Sequence, residues 1–182
     1  SSLARWRQRC RMSHYGGPQR VSSSLVMYQE EFDRISQLLN RLRIDANAKI
    51  VFLVDKNGQQ IAGAGEIDLV DTTSLASLTA GNVAATDGLA RLIGEREFTI
   101  LFHEGRKDNI HISIVGQRLI LVVIFDERSS LGLVRLRVRK ASAGVERILN
   151  DMEEKASRVG VTEAASPFAE ITDEDIDALF SE

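Results

Sequence analysis

Apolar positions in this chain recur with two periods, and the order in which those periods alternate predicts an architecture. Tyr28, Phe32, Ile35, Leu39 and Leu42 fall at i, i+4, i+7, i+11 and i+14, one stripe of a helix. Ser22, Ser23 and Ser24 offer N-caps ahead of it, and Glu30, Glu31 and Asp33 suit the positive end of its dipole. Residues 49–54 are rich in β-branched side chains and read as a strand buried on both faces. Asp55-Lys56-Asn57-Gly58 then turns the chain. Asn57 and Gly58 both tolerate positive φ, so a tight hairpin is expected, with a return strand from Gln59 to Ala62.

Asp71-Thr72-Thr73 caps a long second helix that runs to about Ile93 and stops at Gly94. Three strands follow. The first covers 98–102, the second alternates Ile110, Ile112 and Ile114 with His111 and Ser113, and the third is the unbroken apolar run 119–125, expected at the centre of a sheet. Turns at 104–108 and at Gly116-Gln117 imply antiparallel hairpins. Residues 129–155 carry two patterns. Leu133 to Arg139 alternate like a strand, but Leu131, Val134, Val138, Ala141, Val145, Ile148 and Met152 keep helical spacing over six turns. The longer pattern outweighs the shorter, and a helix is expected. Residues 156–169 read as a linker and Thr172 to Phe180 as a short final helix. The order α-β-β-α-β-β-β-α with a five-stranded antiparallel sheet is an α+β architecture. The expected division is a basic extension without regular structure over 1–24, one domain over 25–156, and a linker with a C-terminal amphipathic helix over 157–182.

Charge sharpens those boundaries. Residues 1–24 hold five arginines and no acid, whereas 151–182 hold ten acids against Lys155 and Arg158. The formal net charge of −3 gives no reason to expect nucleic-acid or membrane binding. The longest apolar run is too short to cross a bilayer, and no apolar stretch follows the first arginines as a secretory signal requires. Cys10 is the only cysteine, so no internal disulfide or cysteine-based zinc site can form, and a reducing, cytoplasmic location is expected.

Little in the chain suggests catalysis. There is no GxxxxGK[ST] loop, and the glycines at 81 and 88 lie inside a helix rather than at a strand-to-helix turn. His103, Glu104, Asp108 and His111 cluster at one hairpin without a standard metal-ligand spacing, so a polar turn is expected there and no metal. Asp126 and Glu127 are read as caps for the next helix. No cofactor is expected.

The second helix is unusual. Leu75, Leu78, Ala85, Leu89, Leu92 and Ile93 form its expected core stripe, while Ser77, Gly81, Ala84 and Gly88 fill a neighbouring face almost without bulk. Two interior glycines cost a helix about 1 kcal/mol each relative to alanine. Close approach of another backbone would offset that loss. Because the leucine stripe is assigned to the sheet, the small face is read as a surface for a dimer partner or a docked protein. The tail is the second candidate surface: Ile176, Leu179 and Phe180 share one face, preceded by the acids Asp173, Glu174 and Asp175. A helix that short orders only against something, and an apolar groove with a basic rim is the expected kind of seat.

Five strings, VFLVDKNG at 51–58, DTTSLASLTAGNVAA at 71–85, FHEG at 102–105, SLGLVR at 130–135 and SPFAEI at 166–171, resemble the bacterial roadblock proteins that partner Ras-like GTPases of the MglA type. The resemblance runs from about Leu25 to Glu182. It implies the same element order and a homodimer whose second helices lie side by side over a continuous sheet. It also implies one GTP-loaded GTPase bound per dimer, and hydrolysis accelerated by repositioning the GTPase's own arginine and glutamine. No arginine of this chain is then needed as a finger, and Arg96, Arg106, Arg118 and Arg128 are read as structural or solubilising. Ser77, Gly81, Ala84, Ala85 and Gly88 become candidate contacts on the second helix, and Phe168, Ile171, Ile176, Leu179 and Phe180 candidate contacts in the tail. A role in cell polarity and motility, with concentration at a cell pole, is part of the same implication. A roadblock scaffold that binds a GTPase complex without activating it is the alternative.

Overall fold

The computed structural model describes residues 19–21 and 25–163. A short antiparallel hairpin of β1 (Gln19–Val21) and β2 (Leu25–Met27) precedes α1 (Gln29–Asp45). Strands β3 (Ile50–Asp55) and β4 (Gln60–Gly65), one turn of 3-10 helix and α2 (Thr72–Leu92) follow. Strands β5 (Ile100–His103), β6 (Asn109–Val115) and β7 (Leu119–Phe125) complete the sheet before α3 (Leu131–Glu163). The five strands lie in the order β4-β3-β7-β6-β5, every neighbour antiparallel. The expected architecture is observed, and the segment with two patterns is helix throughout.

Strands β3 and β7 sit at the centre, and every residue of both is buried. This follows from their unbroken apolar runs, which offer no face to water. Alternate residues feed two cores. Val51, Leu53, Leu121, Val123 and Phe125 meet α1 and α3 on one face. Phe52, Val54, Ile120, Val122 and Ile124 meet α2 on the other. The stripe of α1 is confirmed, with Ile35, Leu39 and Leu42 buried; Tyr28 at its start is half exposed.

Helices α1 and α3 run antiparallel and are tied by charge. Lys155 Nζ lies 2.6 Å from Oε1 of Glu31, whose carboxylate is buried, and Arg34 pairs with Asp151 at 3.0 Å. The lysine holds the Glu31 carboxyl below its ordinary range.

Several local expectations change. Strand β1 lies within the stretch expected to lack regular structure, and α3 continues into the stretch expected to be linker. Ser22, Ser23 and Ser24 lie outside the described residues. Helix α1 begins at Gln29, where extended Tyr28 makes no side-chain cap. The β3–β4 turn uses positive φ at Gly58 but not at Asn57. The Asp55 carboxylate shapes it instead, accepting from the backbone N–H of Asn57 and of Gln59, both at 2.9 Å. Asp126 and Glu127 do not cap α3. Ser130 Oγ accepts from Leu133 N at 3.3 Å, and Asp126 pairs with Arg128 at 2.9 Å.

Candidate partner-binding surface

Helix α2 is built at its ends as expected. The Asp71 side chain accepts from Ser74 N at 3.1 Å, and its bonds to Ser74 keep the Asp71 carboxyl below the usual range. Gly94, at φ +83°, closes the far end.

Its orientation reverses the expectation. The face on the sheet consists of Ala76, Thr79, Ala80, Val83 and Ala90. The leucines assigned to the core point away: Leu78 is 71% exposed, Leu89 56% and Leu92 83%. Ile93, at the C-cap, is also exposed, and Leu75 is only partly buried. Small side chains, three alanines with Thr79 and Val83, fill the space beneath the helix. At its flank the β3–β4 turn comes so near that a Cβ on Gly58 would stand 2.9 Å from the Ser77 Cα.

Ser77, Gly81, Ala84, Ala85 and Gly88 are all exposed. They share the outward arc with Ser74, Leu78, Leu89 and Leu92, and no charged side chain interrupts it. A Cβ added at Gly81 or at Gly88 would meet nothing within 4 Å. Neither glycine is therefore required by this chain's own packing. The small face is exposed, and it is framed by leucines rather than standing beside a buried leucine stripe. Phe168, Ile171, Ile176, Leu179 and Phe180 lie outside the described residues.

The hairpin histidines do not converge. Phe102 lies opposite His111 in the β5–β6 register and His103 opposite Ile110, so the two imidazoles sit on opposite faces of the sheet. His103 Nε2 lies 2.8 Å from Asn82 Nδ2 and so links edge strand β5 to α2. His111 is fully buried, and neither ring nitrogen has a hydrogen-bond partner among the described residues. Burial, with the Arg135 charge adding, lowers its pKa to about 4, so the ring is neutral.

The chain belongs to the Roadblock/LC7 domain family, whose model matches residues 34–125. Within that family it is similar to MglB. It is 62% identical to Myxococcus xanthus MglB, with a TM-score of 0.67 over 70% of this chain and 96% of that one. The gliding protein MglB of Thermus thermophilus is 32% identical, with a TM-score of 0.67 over 72% of this chain and 99% of that one. An MglB solved in a tetrameric arrangement is 30% identical, with a TM-score of 0.68 and the same coverage. No curated protein sequence matched the chain.

Proposed function

We propose that this chain is a homodimeric, cytoplasmic activator of an MglA-like small Ras-like GTPase, with two copies serving each GTPase. The observation that carries the proposal is the outward arc of α2: exposed, uncharged, framed by leucines and floored by glycines that nothing in the chain itself needs. A single chain leaves that much apolar surface in water only where another surface covers it. Similarity to MglB supports the identity of the partner. In this reading the dimer holds the switch regions of the bound GTPase so that the GTPase's own arginine and glutamine reach the γ-phosphate. Binding energy is used to fix a reactive geometry, and this chain is a regulator with no active site of its own. The tail from Phe168 to Phe180 makes a further contact with the GTPase. The biological role is cell polarity and motility, with the protein concentrated at a pole.

The test is single-turnover GTP hydrolysis by the cognate GTPase with and without this protein. Acceleration is expected, and Gly88→Arg is expected to abolish it while the circular dichroism of the folded chain stays unchanged. Binding without acceleration would select the scaffold alternative. A Gly88→Arg variant as active as the parent would place the contact elsewhere.

A further inference from the structure

We propose that the groove between α1 and α3, on the face of the sheet away from α2, is the seat of this chain's own C-terminal segment, residues 172–180. The groove is about 470 Å³, with a floor of Leu38, Leu42, Ala141, Gly144 and Ile148. Basic groups form most of its rim. Arg34 is engaged by Asp151 and Arg41 by Asp45, but Lys140 has no partner among the described residues, and Arg147 Nε donates only to the Ala143 carbonyl of its own helix. Arg137 Nε also lines it, buried and without a hydrogen-bond partner. A buried guanidinium N–H left unbonded is costly, and an incoming carboxylate would satisfy it.

The occupant is identified by complementarity and reach. Residues 164–182 hold six acids and no lysine or arginine, and Ile176, Leu179 and Phe180 give the segment one apolar face. The arc of α2 offers that acidic segment only Arg91 at its border, whereas the α1–α3 groove offers three uncommitted cations. Length agrees as well. The level of Ile148 lies fifteen residues back from the end of α3 at Glu163, roughly 22 Å at the helical rise. The eight residues 164–171 extend up to about 26–28 Å, enough to return the chain there. From Arg137 to Ile148 the groove runs about 16 Å along α3, and a nine-residue helix covers about 13 Å of it. The groove is the seat of the tail in the free protein, independently of the GTPase reading; the GTPase contact proposed above would draw the same segment out of it.

The test uses the full chain with Cys10→Ser and a nitroxide on Ser181→Cys, observed by amide NMR. Loss of signal is expected at Leu38, Ala141 and Gly144. Lys140→Glu with Arg147→Glu is expected to restore it, as is the milder Lys140→Ala with Arg147→Ala if the reversal disturbs folding. Adding the reversed tail, Asp173→Lys with Asp175→Lys and Asp177→Lys, to the reversed groove is expected to bring the loss back. Four results would overturn the proposal: no loss in the groove, a loss centred on Leu78 and Leu89, a loss that survives both groove variants, or a loss seen only between different copies in a mixed sample.

Discussion

The two faces of one sheet are closed in opposite ways. Beneath α1 and α3, large apolar groups point inward: Ile35, Leu39, Val134 and Val145 have no exposed surface, although Ile44 and Leu136 face water. Beneath α2 the inward groups are alanines, a threonine and a valine, while Leu78, Leu89 and Leu92 face out. The first face is finished by the chain itself and sealed at its rim by Lys155 and Glu31. The second buries its own core of Phe52, Val54, Ile120 and Val122 but leaves the leucines of α2 in water. In the reading proposed above, that outer face of α2 is where association occurs.

The same truncation on both faces separates their roles most clearly. Leu39→Ala removes a fully buried side chain and is expected to destabilise the fold by about 2–5 kcal/mol in chemical denaturation. Leu89→Ala, on the exposed arc, is expected to change denaturation of the dilute protein by less than ~0.5 kcal/mol. It is instead expected to weaken self-association, read by sedimentation across a concentration series. Equal losses at both positions would mean that α2 contributes to the core as its leucine pattern suggests.

The next effect is a pH dependence belonging to the α1–α3 face alone. His111 titrates near 6.5 when unfolded and about 4 when folded, so between those values the unfolded chain binds the extra proton. The stability it contributes is complete above about pH 6.5 and is lost as pH falls toward 4. The loss is expected to reach on the order of 2–3 kcal/mol. His111→Leu is expected to flatten that part of the profile. A parent and variant with parallel profiles over this range would show that the ring is not held neutral.

Pattern and structure agree where residue size and position give the same answer. The runs in β3 and β7 have no polar side to offer water, and α3 keeps its helical stripe long enough to outweigh seven alternating residues. They part where tertiary packing overrides pattern. Periodicity assigns the largest apolar stripe to the core, and α2 inverts this, burying a stripe of small side chains and exposing its leucines. Gly81, Ala84 and Gly88 are expected as a contact face on the premise that leucines occupy the other side. Their exposure is real, but that premise is wrong. A quieter signal is present in the chain, since Ala76, Ala80 and Val83 form a second small-residue stripe at helical spacing. His111 misleads for a related reason: alternation with isoleucines suggests a polar outer face, but α3 covers that face too. Glu31 looks like a solvated first-turn acid because its partner, Lys155, lies far along the chain.

The smallest expected effect belongs to the two glycines of α2. At Gly81 and at Gly88 a new Cβ meets open space, so Gly81→Ala and Gly88→Ala carry no steric penalty within the monomer. Each is expected to raise stability by up to about 1 kcal/mol, since alanine loses less backbone entropy in a helix than glycine does. In the proposed dimer the same methyl groups stand where the second backbone comes closest. The two variants are therefore expected to melt higher when dilute and to self-associate more weakly, a pair of opposite signs that neither a purely structural nor a purely solvated face would give. Melting temperature and sedimentation on one sample read both. If both variants instead melt lower, the glycines serve the monomer, and α2 is not the unfinished side of the molecule.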